Sequence, residues 1–193
     1  MQQEQDNAQW RAQIYALLAI LLGKPADEDL LSNIAALKVD DEKSALGEAW
    51  QQLIQAAANT SAEAQSREYH QLFIGLTQGE VIPYASYYQT GFLNEKPLAD
   101  LRVDLGKLGL ARQADKKEPE DHAAALCDVM RLILTANGTP VVTAEQFFNR
   151  HIVKWLPRFF VDLQKAASAD FYAAVAELGS QFVADETQRL ATD

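Results

Sequence analysis

The charged stretch Lys116-Lys117-Glu118-Pro119-Glu120-Asp121-His122 interrupts a chain that otherwise follows the pattern of amphipathic helices. Its proline suits the first turn of a helix, because the missing N–H would have no partner there. Its carboxylates suit the positive end of a helix dipole. We therefore predict that a helix starts within 118–121 and that residues 111–117 form the connection before it. A helix N-terminus with no further role also satisfies this local chemistry.

Apolar residues recur at three- and four-residue intervals on both sides of this stretch, as on the buried face of a helix. The first segment shows the spacing at Trp10, Ile14 and Leu18. No stretch alternates polar and apolar residues for long enough to predict a strand. We therefore predict an all-α fold, a compact bundle of about nine or ten helices with a central hinge loop.

Several helix ends are predicted from local signals. Thr60 with Glu63, and Thr143 with Gln146, match the capping-box pattern of a helix start. Gly75 is expected to end a helix in the left-handed conformation. The last helix is predicted from about Ser168.

Length and composition favour one folded domain, which we predict to span residues 1–193 with a hinge at 111–117. The single cysteine, Cys127, lies on an apolar stripe and is predicted to be an inert core thiol. Beyond Asp185 the tail is polar and is expected to fray.

The net charge of −10 disfavours binding to nucleic acid or to anionic lipid and favours a cationic partner. The N-terminus lacks the pattern of a signal peptide. The longest apolar run, residues 15–22, is too short to cross a bilayer. We therefore expect a cytoplasmic protein without stable membrane insertion.

Residues that carry catalytic chemistry are sparse. We find no glycine-rich phosphate loop, and His70, His122 and His151 do not form a metal-binding pattern. On a helix, Glu118 and His122 would be one turn apart and could form an acid–base pair. Since no nucleophile lies nearby in sequence, we predict no catalytic residue, no metal and no cofactor. His151 lies near an apolar stripe and is predicted to be a half-buried core or rim histidine.

The irregular stretch 76–88 carries the rings of Tyr84, Tyr87 and Tyr88. Such rings either cover the core or line a groove for a peptide. Sequence alone leaves both interpretations open.

Three segments resemble the signatures of one protein family. The first joins Glu68-Tyr69-His70-Gln71-Leu72-Phe73-Ile74-Gly75 to Pro83-Tyr84-Ala85-Ser86-Tyr87-Tyr88. The second is Glu118-Pro119-Glu120-Asp121-His122, and the third is residues 147–160 with Phe171-Tyr172 after it. In this order, in an acidic helical chain, they resemble the TorD/DmsD family of redox-enzyme maturation chaperones. The third segment resembles the TorD branch in particular.

This resemblance implies a cytoplasmic chaperone rather than an enzyme. Family members bind the apo form of a molybdopterin-dependent reductase, and many bind its twin-arginine signal peptide, which delays export until the cofactor is inserted. The TorD branch implies a client of the trimethylamine N-oxide reductase type. The resemblance also implies weak guanine-nucleotide binding, which no phosphate-binding motif here supports. It further implies either a monomer or a homodimer domain-swapped at residues 111–117.

The family's binding positions match six residues of this chain, and Glu118 adds a further carboxylate. The predicted client-binding residues are Tyr69, Leu72, Pro83, Tyr84, Glu118, Asp121 and His122. The rings and Leu72 suit the apolar part of a signal peptide, while the carboxylates suit its guanidinium groups. One groove of this kind requires the first two signatures to meet in space. Two alternatives remain, a helical adaptor for an unrelated partner and a nucleotide hydrolase that uses His122.

Overall fold

The computed structural model describes residues 2–39, 43–112 and 118–190. These residues form ten α-helices and one π-helical turn. The helices are α1 (Gln2–Gly23), α2 (Glu28–Ala35), α3 (Ala45–Asn59), α4 (Ala62–Tyr69), α5 (Ala85–Thr90), α6 (Lys96–Lys107), α7 (Ala123–Thr135), α8 (Ala144–His151), α9 (Leu156–Lys165) and α10 (Phe171–Leu190). The π-helical turn is His70–Ile74. The predicted all-α fold of nine or ten helices is confirmed.

Contacts divide the chain into two compact units, each assembled from separated segments. The first unit comprises Met1–Gly23, Pro83–Leu156 and Arg189–Asp193. The second comprises Lys24–Ile82 and Pro157–Gln188. None of these boundaries coincides with the hinge predicted at 111–117, of which residues 113–117 lie outside the described part of the chain. The single domain and its hinge therefore stay predictions.

The first unit is built around the packing of α1 against α7. Leu18 and Leu22 of α1 and Leu126 and Met130 of α7 are completely buried. Each such side chain contributes roughly 1.5–3 kcal/mol through its removal from water. Cys127 is also buried, and burial raises the pKa of its thiol to about 12. The predicted core thiol is confirmed.

The second unit depends on a carboxylate that caps a distant helix. Glu68 of α4 accepts hydrogen bonds from the backbone N–H groups of Asp170, Phe171 and Tyr172, at 2.7–3.1 Å. These N–H groups lie at the start of α10, where helix donors lack intrahelical partners. Burial raises the pKa of Glu68 even though the three hydrogen bonds oppose the shift. The helix begins at Phe171, so the start predicted at about Ser168 was early.

Of the two predicted capping boxes, one is correct and one is wrong. Thr143 and Gln146 form the expected capping box. Thr60 does not cap α4; it ends α3, and the hydroxyl of Ser61 accepts from the Ala64 N–H. Of two adjacent hydroxyls, only the one on the residue just before the helix can reach the N–H of the third helical residue.

Two helix ends also differ from the prediction. Gly75 has a positive φ of 61° but an extended ψ of −174°, and it follows the π-helical turn instead of capping an α-helix. Helix α10 continues through Asp185 to Leu190, so the expected fraying after Asp185 was wrong. Glu186 is buried, and the Leu190 carbonyl accepts from the Asn149 side chain at 2.8 Å. These contacts hold the last turns in place.

Helices α9 and α10 approach closely at Gly179 within the second unit. A Cβ added there would lie 2.3 Å from the ring of Phe160, which is completely buried. We expect Gly179→Ala to lower the free energy of unfolding by about 1–2 kcal/mol. Overpacking costs about 1–3 kcal/mol, which exceeds the gain of about 1 kcal/mol from alanine's helix propensity. Urea unfolding measures the change.

The matched control is Gly106→Ala in α6, where an added Cβ meets nothing within 4 Å. Only the propensity gain applies there, so we expect a stabilisation of about 0.5–1 kcal/mol. Equal effects at the two glycines would contradict the close approach at Gly179.

Candidate functional site

Two segments from the first two signatures lie side by side in the first unit. The Ala85 N–H donates to the Asp121 carbonyl at 3.0 Å, and the Ala123 N–H donates to the Pro83 carbonyl at 2.9 Å. These bonds form an isolated antiparallel bridge between Tyr84 and His122. Their rings meet edge to face with centroids 5.0 Å apart. We call the pairing of residues 83–85 with residues 121–123 the signature joint.

The joint explains why α7 starts later than expected. His122 has an extended ψ of 140° and is the N-cap, so the helix begins at Ala123 and not within 118–121. The backbone around Asp121 bonds to the neighbouring segment, which a helical conformation would prevent. Glu118 consequently lies before the helix, and the expected one-turn contact between Glu118 and His122 was wrong.

Asp121 is completely buried beneath the joint. Its Oδ2 accepts the Ser86 N–H at 2.8 Å and so caps the start of α5. Its Oδ1, and the hydroxyl of Ser86, have no hydrogen-bond partner among the described residues. A buried carboxylate oxygen without a donor is costly, by about 1–3 kcal/mol. Asp121 is therefore both a structural cap and an acceptor for a further donor.

His122 acts as a neutral cap. Its Nδ1 accepts the Ala124 N–H at 3.1 Å, which places the remaining ring proton on Nε2. Burial lowers the pKa of His122 to about 4. An imidazole that stays neutral and hydrogen-bonded to backbone at pH 7 is poorly matched to acid–base catalysis, which works best with a pKa near the operating pH.

A cavity of about 540 Å³ opens beside the joint within the first unit. It lies among α5, α6, the start of α7 and the end of α8. Asp121 is on its wall, and the other charged or titratable residues that line it are Lys96, Asp100, Asp104, Arg150, His151 and Lys154. Asp121 thus lines a polar cavity, although the residue itself is completely buried.

Asp104 is a site residue that the sequence analysis missed. Its Oδ2 accepts from Arg150 Nη1 and His151 Nε2, both at 2.9 Å, and its Oδ1 accepts from Lys107 at 2.8 Å. Burial opposes its ionisation, but the hydrogen bonds from these three side chains hold its pKa well below the usual range. Asp104 therefore ties α6 to the end of α8 as a buried carboxylate.

His151 is more buried than a rim residue. Only 6% of it is exposed, and it bonds to Asp104 as described above. Burial lowers its pKa, although Asp104 acts in the opposite direction. The Trp155 indole donates to the His151 carbonyl at 2.8 Å, and Tyr88 packs on that indole. The end of α8 is thereby fixed against α5.

Glu120 also has a partner within the first unit. Arg102 forms a two-pronged ion pair with it, at 3.1 and 2.8 Å. The hydrogen bond from Arg102 lowers the pKa of Glu120. Glu118, by contrast, is exposed.

Tyr69 and Leu72 belong to the second unit. Leu72 is completely buried in the π-helical turn. Tyr69 packs against Phe73 and Tyr172, with ring centroids 5.0 and 6.0 Å away. The structure therefore brings Pro83, Tyr84, Asp121 and His122 together in the first unit. Tyr69 and Leu72 belong to the second unit. Client binding by these residues stays a prediction.

Neither metal binding nor membrane crossing has a structural basis in the described residues. They contain no group of three or more His, Cys, Asp or Glu side chains placed to hold a metal ion. None of their helices is both long and apolar enough to span a bilayer. The described residues thus form an all-α protein with a polar cavity in its first unit.

Comparisons with known proteins identify its family. Residues 39–161 match the family described as "Nitrate reductase delta subunit". The chaperone protein TorD of Vibrio atlanticus is 31% identical over 94% of this chain and 94% of its own length. TorD of Aliivibrio fischeri is 29% identical over the same shares. The chain therefore belongs to the TorD family of chaperones, and the resemblance of its motifs is confirmed.

A solved structure supports the fold. The crystal structure of a candidate redox enzyme maturation protein from Archaeoglobus fulgidus superposes with a TM-score of 0.58 at 21% identity. The match covers 90% of this chain and 93% of the other. The relatives are named chaperones, so the prediction that this chain is not an enzyme is confirmed.

Asp104 should contribute stability that depends on pH. We expect Asp104→Asn to lower the free energy of unfolding at pH 7 by about 1–3 kcal/mol. The loss stays below that of a fully buried pair because Lys107 and Arg150 are half exposed and can turn to water. Since the native pKa is depressed, the contribution is present above the unfolded pKa of about 4 and declines as pH falls below it. Urea unfolding at several pH values measures both effects.

Asp100→Asn is the control, because the ion pair of Asp100 with Lys96 is exposed. Its removal should change stability by less than about 1 kcal/mol. Similar losses for the two variants would show that Asp104 is not the tie between α6 and α8.

His122 should make the protein less stable in mild acid. The unfolded pKa is about 6.5 and the native pKa is about 4. The unfolded state therefore binds more protons between these values, and stability falls as pH drops through that window, by up to about 3 kcal/mol. We expect His122→Asn to remove this loss, because asparagine caps helices well without titrating. Urea unfolding between pH 7 and 4 tests it.

His70→Asn serves as the comparison, since it replaces a histidine at an exposed position. If the free energy of unfolding of His122→Asn depends on pH as in the unmodified protein, His122 is not the buried neutral cap described above.

Proposed function

We propose that this chain is a cytoplasmic maturation chaperone for a molybdopterin-dependent reductase of the trimethylamine N-oxide reductase type. It binds the apo enzyme, the twin-arginine signal peptide of that enzyme, or both, and it keeps the client from export until the cofactor is inserted. Family membership supports the role of a molybdoenzyme maturation chaperone. The client type and the signal peptide are the parts that need a direct test.

One observation carries the peptide-binding part of the proposal. The buried Oδ1 of Asp121 lacks a donor among the described residues, and Asp121 is one of the residues that line the cavity. A guanidinium group offers several N–H donors in a fixed fork and suits such an acceptor. An arginine side chain that enters the cavity would therefore satisfy an acceptor that the fold leaves unpaired.

Apolar side chains at the same unit's surface suit the rest of a signal peptide. Tyr87, Phe92 and Leu93, on α5 and the loop after it, are exposed, as is Val103 of α6. Phe92 is 70% exposed, which is high for a large aromatic residue. These positions favour a segment that is cationic at one end and apolar beyond it. A role of Tyr84, and separately of Tyr69 and Leu72, in client binding rests on the family resemblance.

Two further parts of the proposal follow from the family resemblance alone. Any guanine-nucleotide binding is weak, and the chaperone exists as a monomer or as a domain-swapped homodimer, with the exchange at residues 111–117. The residues themselves support two more parts. The chaperone works without a cofactor, and Glu118, which is exposed, supplies a second carboxylate to the arginine pair of the signal peptide.

Isothermal calorimetry with the twin-arginine peptide of the partner reductase tests the proposed site. Asp121→Asn keeps an acceptor for the Ser86 N–H and removes the negative charge. We expect it to weaken peptide binding by about tenfold, since a hydrogen bond to a charged group contributes about 1.5–3 kcal/mol. The circular dichroism of its helices should be unchanged.

Asp185→Asn removes the same charge from an exposed position of α10 and should bind like the unmodified protein. Asp121→Asn with full affinity would refute the role of the cavity. Absence of binding by the unmodified chain would refute the signal peptide as a ligand.

A further inference from the structure

The side chains around Asp104, near the end of α8, carry an excess of positive charge. Around the single buried carboxylate of Asp104 lie the cations of Lys107, Arg150 and Lys154. Lys154 lowers the pKa of His151 through its charge, as Arg150 does, so it lies close to this cluster. The cluster therefore has a net charge of about +2, on a chain whose formal net charge is −10.

Other charged groups at the cavity do not cancel this excess. Lys96 and Asp100 neutralise each other as an ion pair. The Asp121 carboxylate subtracts one charge, so the charged groups at and around the cavity keep a net charge of about +1. His151 is held neutral by burial. Within the described residues, Lys154 has neither a hydrogen bond nor an ion pair.

Helix electrostatics explain part of this cluster but not Lys154. Arg150 and His151 occupy the last turn of α8, where the helix dipole favours cations. Lys154 follows α8 in a turn and lies two residues before Leu156, the first residue of α9. A cation is disfavoured at a helix start. The Lys154 side chain is exposed.

We propose that Lys154 and Arg150 form a subsite for a carboxylate, which an acidic side chain of the bound client segment supplies. This subsite deepens the proposed function and rests on it. The client segment then donates a hydrogen bond to Asp121 and places a carboxylate beside Lys154. Asp121 and Lys154 line the same cavity. Asp104 is the positioning residue, because its hydrogen bond fixes the Arg150 guanidinium at the wall.

The number of available donors favours a carboxylate over a phosphate. One nitrogen of Arg150 is already bonded to Asp104, so the subsite offers one ammonium and the remaining guanidinium edge. These donors suit a singly charged, two-oxygen acceptor. A phosphate dianion is usually held by several backbone N–H groups of a glycine-rich loop or a helix start, and the end of α8 presents carbonyls instead.

Peptide binding tests the subsite directly. The probe is a synthetic peptide with an arginine pair and an apolar run, together with derivatives in which a single Glu or Gln replaces one residue near the pair. We expect Glu at one position to bind about two- to fivefold more tightly than Gln, as for a partly exposed ion pair. Lys154→Gln should abolish this preference, and Lys154→Glu should reverse it.

Lys165→Gln, at the exposed end of α9, removes the same charge elsewhere and should retain the preference. Equal binding of the Glu and Gln peptides at every position would overturn the subsite while leaving the proposed function intact. Failure of every peptide to bind would count against the proposed function, and a second measurement then decides on the subsite.

That measurement uses small anions without any peptide. The probe is the α-amide of N-acetylglutamate, which carries the side-chain carboxylate alone. It should shift the NMR signal of the Trp155 indole, whose N–H bonds to the His151 carbonyl. The shift should be lost in Lys154→Gln and kept in Lys165→Gln. No shift in the unmodified chain would overturn the subsite. A shift caused by inorganic phosphate as strongly as by this amide would also overturn it, because the site would then be a general anion site.

Discussion

The first unit depends on the backbone pairing between residues 83–85 and residues 121–123. Two hydrogen bonds join segments almost forty residues apart, and the edge-to-face contact of Tyr84 with His122 covers them. Two features of the site follow from this pairing. Because the backbone at Asp121 is extended, α7 starts at Ala123 and His122 becomes its cap. Because the pairing places Asp121 beside α5, its side chain accepts the Ser86 N–H in the first turn of that helix, and Asp121 also lines the cavity.

Buried carboxylates organise the fold in three places, and each acts between segments distant in sequence. Asp121 caps α5, Glu68 caps α10, and Asp104 ties α6 to α8. Burying an ionised carboxyl is expensive unless hydrogen bonds replace the lost water. At Glu68 three N–H donors are present and at Asp104 three side-chain donors are present, whereas Asp121 has one donor for two oxygens. The structural carboxylates are therefore satisfied, and the incompletely satisfied one lies at the candidate site.

The sequence predicts local features of this fold well and long-range ones poorly. Periodic apolar residues indicate the helices, and Thr143 with Gln146 marks a helix start, because both signals lie within one or two turns. The start of α10 could not be predicted, since its cap is Glu68, about a hundred residues earlier. The start of α7 was misplaced for the same reason, since Pro119 and the neighbouring carboxylates satisfy local rules that the pairing with Pro83–Ala85 overrides.

The candidate site shows the same limit. Tyr84, Asp121 and His122 were found through motifs, but Asp104 gives no signal in sequence, because one aspartate in a charged amphipathic helix looks exposed. Asp104 is buried because Arg150 and His151 of α8 pack against it and donate hydrogen bonds to its carboxylate.

Burial of Asp121 and His122 also limits how binding can be studied. Both side chains cap helices, so replacing either by alanine removes a structural hydrogen bond together with any contact to a client. Loss of a cap costs about 1 kcal/mol, which is comparable to the contribution of one peptide contact. A weakened alanine variant would therefore not distinguish binding from folding. Replacement by asparagine separates the two, because the cap persists while the charge at residue 121, or the titration at residue 122, is removed.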